Sequence, residues 1–281
     1  MPVYEIDGKV ALITGGARGI GFGIAQALIR RGASVALVDL NEAEVTASAG
    51  RLGDRAIGLA ADVTDRAAVD AAVAGAIERL GGIDIAVANA GIAPIPAPVR
   101  LMPADEFERV IEVNLLGVYR TIHAALGQIV ARQGQAVLIS SVYAFMNGVL
   151  LSPYAVAKAG VEQLGRALRL ELGTHGASAT VAYFGFVDTE MVRQGMEERQ
   201  RQRGTDEEMM PAFLRKRISP EQAGEAVAAA IEQRRPRVIA PRWWAAPSVL
   251  RGVLNPLMDS AGERSSRVQT EVRQAEADRG S

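Results

Sequence analysis

Residues Ser140–Lys158, SSVYAFMNGVLLSPYAVAK, bring two adjacent serines, two tyrosines and a lysine into one short segment. Hydroxyl, phenol and ammonium groups of this kind can move protons. Tyr154 and Lys158 are spaced i, i+4 and share one face of a helix. An ammonium beside a phenol favours its ionisation, so the pairing predicts a Tyr154 pKa moved down from ~10 toward the working pH. Such a phenol can give a proton to a carbonyl oxygen or take one from an alcohol. Tyr143 has Asn147 four residues later and no cation at that spacing, which reads as a pocket wall. His123 and His175 fall in no serine-hydrolase pattern, so a nucleophilic serine is not expected. Two unclustered histidines and no cysteine give no metal site.

These groups must be held by the elements around them. Short, almost wholly apolar runs at Lys9–Thr14, Ser34–Val38, Ala56–Ala60, Asp84–Ala88, Ala136–Ser140, Ala179–Tyr183 and Arg237–Ile239 read as strands covered on both faces. Helical patterns lie between them at Ile20–Arg31, Arg66–Leu80, Asp105–Gln133, Tyr154–Leu172 and Pro220–Gln233. Gly32, Gly81 and Gly173 sit where helices stop, as C-terminal caps do. The alternation predicts a Rossmann-type, doubly wound α/β fold: a central seven-stranded parallel sheet with helices on both faces and right-handed crossovers.

The first strand runs straight into GGARGIG and a helix, with Gly15, Gly19 and Gly21 at G-x3-G-x-G spacing. Glycines there allow a tight turn and close approach of backbone to a pyrophosphate, and the helix N-terminus offers free N–H groups to the anion. Asp39 ends the second strand, where a carboxylate can accept hydrogen bonds from the ribose hydroxyls of an adenosine. The same charge repels a 2′-phosphate and points to NAD. Arg18, inside the turn, is the opposing signal that leaves NADP open.

Composition narrows the class. The 281 residues contain 31 Lys and Arg against 32 Asp and Glu, a formal charge of −1 that lacks the basic excess expected for nucleic-acid binding. Disulfides are excluded, the first residues lack a signal-peptide pattern, and no run approaches the ~20 apolar residues of a membrane span. The expected location is the cytoplasm.

Together these residues resemble the short-chain dehydrogenase/reductase family, in the branch of about this chain length. The likeness runs from about Asp7 to Ile239: TGGARGIG at 14–21, Asp39, Asp62–Val63, ANAG at 88–91, VNLLG with Asn114, Ser141, and Tyr154-x-x-x-Lys158. It implies an NAD(P)(H)-dependent oxidoreductase that interconverts a secondary alcohol and a ketone. It further implies that Gly15, Arg18, Gly19, Ile20 and Gly21 hold the cofactor phosphates, that Asp62 and Val63 hold the adenine, and that Asn89, Ala90 and Gly91 flank the cofactor. Asn114, Ser141, Tyr154 and Lys158 become the catalytic set. Asn114 would hold a relay water through its carbonyl at a local kink, Ser141 would polarise the substrate oxygen, and Lys158 would bind the nicotinamide ribose. Val187 and Thr189 would meet the nicotinamide, and Ser140 would support the strand end.

The pattern bends after the sixth strand. The family usually has Pro-Gly there, and Phe184 stands in place of the proline, which puts an aromatic beside the cofactor or substrate. Phe145, Met146, Val149, Leu150, Leu151, Phe184 and Phe186 predict an apolar pocket for a steroid, terpenoid or long-chain compound. The expected organisation is one domain over residues 1–240, with a charged lid insert at about 189–217, and a C-terminal extension over 241–281 that is not a separate domain. The extension, with Trp243 and Trp244, is expected to pack on the protein or join a subunit interface in a homo-oligomer (tetramer or dimer), ahead of a peripheral membrane contact. A nucleotide-sensing protein without catalysis and a lyase or epimerase are the competing classes; the intact residue set argues against the first and the short chain against the epimerases.

Overall fold

The computed structural model describes residues 3–193 and 216–280. Seven parallel strands form one sheet in the order β3-β2-β1-β4-β5-β6-β7. They are β1 Val10–Thr14, β2 Ser34–Asp39, β3 Ala56–Ala60, β4 Ile85–Ala88, β5 Gln135–Ser141, β6 Ser178–Phe184 and β7 Arg237–Ala240. The chain winds outward from β1 to β3, then crosses back to β4. The strand order therefore reverses between β1 and β4, and a crevice opens at their carboxyl ends.

Alternate residues of each strand serve opposite faces. Ile13, Leu37, Val87 and Ile139 join a core with α1 (Gly19–Ile29), α2 (Glu42–Leu52) and the later helix α7 (Pro220–Glu232). Leu12, Val38, Ala86 and Leu138 pack the other way, against α3 (Arg66–Leu80), α5 (Gly117–Ala131) and α6 (Ser152–Gly173). Two apolar layers explain why the strand sequences show no polar face.

Three local features depart from the sequence reading. Helix α2 lies in a stretch the apolar period does not mark, because its core face is Val45, Ser48 and Ala49 rather than large apolar residues. The span 105–133 is not one regular helix: α4 (Ala104–Ile111) and α5 flank a single π-helical turn, Glu112–Leu116. Gly173 is the last residue of α6 rather than one past its C-cap, and Gly176 takes the positive φ of +70°. Gly81 does end α3 in the left-handed conformation. The span 189–217 read as a lid falls mostly outside the described residues.

Beyond β7 the chain forms α8 (Ala245–Arg264) and α9 (Ser266–Gly280). Trp244, wholly buried, seals a third small core with Val142, Phe145, Val181 and Tyr183. The outer face of α8 leaves Val249, Leu250, Val253 and Leu257 exposed. Among the described residues no helix is long and apolar enough to cross a membrane.

Candidate active site

The turn after β1 is shaped by contact. A Cβ on Gly21 would overlap the Gly15 carbonyl oxygen, and one on Gly15 would sit 2.8 Å from the Ala90 Cα. Gly19 has φ +57°, a conformation strained for other residues, and its β position lies 3.3 Å from Thr189 Cγ2. The segment after β6 thus folds back over the turn. Val187 pairs with Ile218, and Glu190 holds Arg18 at 2.7 Å. Ile20 packs partly buried on the first core.

Around this turn, side chains tie strand ends together. The Asn89 amide nitrogen donates to the carbonyls of Thr14 and Gly15 at 3.0 and 2.9 Å, and the Asn89 N–H donates to Thr14 Oγ1. Asp39 accepts from the Ala17 and Leu40 amides at 3.0 and 2.8 Å, which fixes its carboxylate at the tip of β2. Asp62 accepts both the N–H and the hydroxyl of Thr64, and buried Val63 lies against Gly117. A close-packed glycine turn, a helix start and a fixed carboxylate on the next strand suit a dinucleotide.

The second half of the site gathers over β4 and β5. Lys158 is 4% exposed, and its ammonium donates to the Ile139 carbonyl at 3.0 Å. Ser140 Oγ donates to the Lys158 carbonyl at 2.9 Å and fastens α6 to β5. Ser141 Oγ donates to the Phe184 carbonyl at 3.4 Å and accepts from the Tyr143 N–H at 3.3 Å, and its hydroxyl acts on the Tyr154 phenol to favour the ionised form. Asn114 sits wholly buried in the π-helical turn. Its side-chain oxygen accepts from Ile92 N–H at 2.7 Å and its nitrogen donates to the Ile92 carbonyl at 2.8 Å. Both ends of the Asn114 side chain are thereby engaged. The β position of Gly91 lies 3.1 Å from Asn114 Oδ1 and 3.7 Å from Lys158 Nζ, so a side chain there would fill the space between them.

The electrostatics reverse one expectation. Although part of Tyr154 reaches the surface, loss of hydration at its phenol pushes the pKa up to about 12. Ser141 opposes that shift and Tyr143 adds to it. The Lys158 ammonium, 5.6 Å from the Tyr154 ring centroid, does not bring the value down. Burial also drives Lys158 itself down to about 8. Desolvation therefore outweighs the pairing charge at both groups.

Phe184 departs from the pocket reading. Phe184 packs in the core with Ala17, Ile24 and Val187, so it faces the sheet and α1 rather than a ligand. A cavity of about 360 Å³ does lie beside the site, lined by Tyr143, Phe145, Met146, Ala155, Asn255 and Asp259 among others. Phe145 and Met146 of the expected wall line this cavity, whereas Ser141, Tyr154 and Lys158 do not. Asn255 and Asp259 were missed because they come from α8, far along the chain. Their spacing with Arg251, every fourth residue on one helix face, was the available signal.

A family model described as short chain dehydrogenase matches residues 9–200. The chain belongs to the short-chain dehydrogenase family. Within it, the chain is 34% identical to the 3-oxoacyl-[acyl-carrier-protein] reductase FabG of Vibrio cholerae, over 67% of this chain and 78% of that protein. It is 36% identical to a sorbitol dehydrogenase of Cereibacter sphaeroides, over 66% of this chain and 73% of that one. It is 37% identical to the (-)-trans-carveol dehydrogenase of Rhodococcus erythropolis, over 67% and 74%. The crystal structure of gox2181 superposes with a TM-score of 0.74 at 27% identity, covering 83% of this chain and 95% of that one. The protein is an oxidoreductase of the short-chain dehydrogenase type, a family that uses NAD or NADP.

Proposed function

We propose that the protein interconverts a hydrophobic secondary alcohol and its ketone with NAD(H), and that Tyr154 is the general acid and base. The observation that carries this reading is that Asn114 and Lys158 meet beside the β position of Gly91 while Lys158 and Ser141 both lie against Tyr154, at the carboxyl ends of β4 and β5. When bound, the nicotinamide supplies or accepts the hydride. Gly15, Arg18, Gly19, Ile20 and Gly21 would hold the cofactor phosphates, Asp39 the adenosine ribose, Asp62 and Val63 the adenine, and Asn89, Ala90 and Gly91 the central strand ends beside it. Lys158 would hold the nicotinamide ribose and Thr189 the carboxamide, and Val187 would pack against the nicotinamide ring.

Tyr154, with a pKa of about 12, is a neutral phenol at physiological pH and can donate to a substrate carbonyl. Ser141, already hydrogen-bonded to that phenol, is placed to share the same substrate oxygen as its negative charge grows. Lys158 keeps most of its charge below pH ~8 and steadies the ionised tyrosine left behind. Asp39 at the tip of β2 supports NAD over NADP, since a carboxylate there repels a 2′-phosphate. The apolar wall of the cavity, with Phe145, Met146, Ala155 and Val156, supports a hydrophobic substrate, and the exposed row on α8 supports assembly into a homo-oligomer.

The decisive variant is Tyr154→Phe. Ketone-dependent NADH oxidation should fall ~100-fold or more while the dissociation constant for NADH stays the same. Retained turnover in this variant would remove Tyr154 from the chemistry.

A further inference from the structure

We propose that α8 completes the substrate cavity, and that Asp259, supported by Asn255, selects substrates with a hydrogen-bond donor remote from the reacting carbon. This deepens the alcohol–ketone reading above and rests on it. Helix α8 lies beyond the residues matched by the family model, which end at 200, so this selectivity belongs to the chain's own extension.

One face of α8 grips the elements that carry the site. Arg251 makes two hydrogen bonds, of 2.9 and 2.8 Å, to the two carboxylate oxygens of Glu162, a residue of α6 that is 4% exposed. One turn on, the Asn255 amide nitrogen donates to the Phe145 carbonyl at 2.9 Å. A further turn on, Asp259 accepts from the Asn147 amide nitrogen at 3.1 Å. Helix α6 supplies Tyr154 and Lys158, and the segment before it supplies Ser141 and Tyr143. The extension is thus fastened at three successive turns to the frame of the site.

The cavity lies along this seam. Its apolar wall includes Phe145, Met146, Ala155, Val156 and Ala159, and its polar end is Asn147, Asn255 and Asp259. Tyr143 lines the cavity and also meets the Tyr154 ring edge-on, with centroids 6.0 Å apart. A substrate whose oxygen is at Tyr154 reaches the polar end by passing Tyr143. At that end both amide nitrogens already donate to protein acceptors. One N–H remains on each amide, and these two donors are outnumbered by the acceptor sites of a carboxylate and two amide oxygens. These acceptors call for an O–H or N–H on the ligand, such as a hydroxyl at the far end of a hydrophobic ketone.

The test compares medium-chain 2-alkanones of increasing length with the same ketones bearing a terminal hydroxyl, using the full-length enzyme and NADH. At one chain length the hydroxyl should raise kcat/KM ~10-fold, about the contribution of one hydrogen bond to a charged group. Asp259→Ala should bring the ratio between the two series close to one. Asp259 is exposed, so the substitution spares the fold. Asp259→Lys should transfer the preference to ketones ending in a carboxylate. A ratio near one at every length in the native enzyme, or a ratio that Asp259→Ala leaves intact, overturns the proposal. A merely structural role for Asp259 would depress both series and keep their ratio. If neither series is reduced, the alcohol–ketone reading fails on its own. Calorimetric titration of hydroxyketone into the NADH-loaded enzyme then decides the subsite: binding weakened by Asp259→Ala upholds it, and no binding rejects it.

Discussion

Replacing Lys158 with methionine should make the protein more stable while it destroys turnover. Lys158 is almost fully enclosed, and its pKa falls from 10.5 to about 8 because burial removes the hydration of its charge. At neutral pH the folded protein therefore carries a desolvated ammonium. A shift of roughly 2.5 units, at ~1.4 kcal/mol per unit, makes that charge cost about 3 kcal/mol relative to the unfolded chain. Methionine has similar length and helix propensity but loses the hydrogen bond to the Ile139 carbonyl, which offsets about 1 kcal/mol. The net expectation is ~2 kcal/mol of added stability at pH 7, read as a rise in the urea midpoint. The sign with pH follows from proton counting. A lysine whose folded pKa is depressed binds fewer protons folded than unfolded between pH ~8 and ~10.5, so wild-type stability rises across that window. The advantage of Lys158→Met should accordingly be full below pH 8 and shrink toward pH 9.5. Measurements belong below pH 10, because Tyr4, Tyr154 and Tyr183 all have pKa values raised to about 12 and lose stability above it. A variant that is less stable than wild type at pH 7, or whose difference does not move with pH, would refute the claim that Lys158 is held at a desolvation cost.

Asp39→Ser should raise the ratio of kcat/KM for NADP over NAD at least ~10-fold, and adding Glu190→Gln should raise it further by releasing Arg18 from its 2.7 Å ion pair; an unchanged ratio in the steady-state comparison rejects the role of Asp39. Arg251→Ala should lower stability by ~1–3 kcal/mol in urea unfolding, because it strips the bidentate partner from buried Glu162 and leaves only Arg166 at 3.7 Å. The value sits below that of a fully buried pair because Arg251 is itself partly exposed. Adding Glu162→Gln should recover part of the loss, whereas additive losses would mean that the charge is not the issue.

All seven strands were legible as apolar runs, because a sheet sandwiched between two helical layers leaves no polar alternation to confuse them. The same signal failed at α2, whose buried face is built from Val45, Ser48 and Ala49. Its start was nonetheless written in Asn41, which caps the Glu44 amide, so turn chemistry held the information that hydrophobic period lacked. The polar end of the cavity was harder to see. Asn147 and Asp259 are 112 residues apart, and nothing in either neighbourhood specifies the other. Helix-spaced residues reveal a face, but only the fold says what that face meets.

The Tyr154–Lys158 pair shows where spacing stops being informative. An i, i+4 separation fixes proximity, and proximity alone predicts a phenol made more acidic by its neighbour. The outcome depends instead on how much water each group loses, which is set by β5, the π-helical turn and the β5–α6 segment closing around them. In that enclosure the loss of hydration acts on both partners in the direction of their neutral forms, phenol up and amine down. The arrangement suits a proton donor better than a standing phenolate. A Tyr154 that stays protonated can wait beside a ketone, and it needs the Ser141 hydrogen bond and the Lys158 charge chiefly at the moment its proton leaves. Reduction should therefore tolerate neutral pH, while alcohol oxidation, which needs the ionised phenol first, should gain rate as pH rises until Lys158 loses its proton near pH 8.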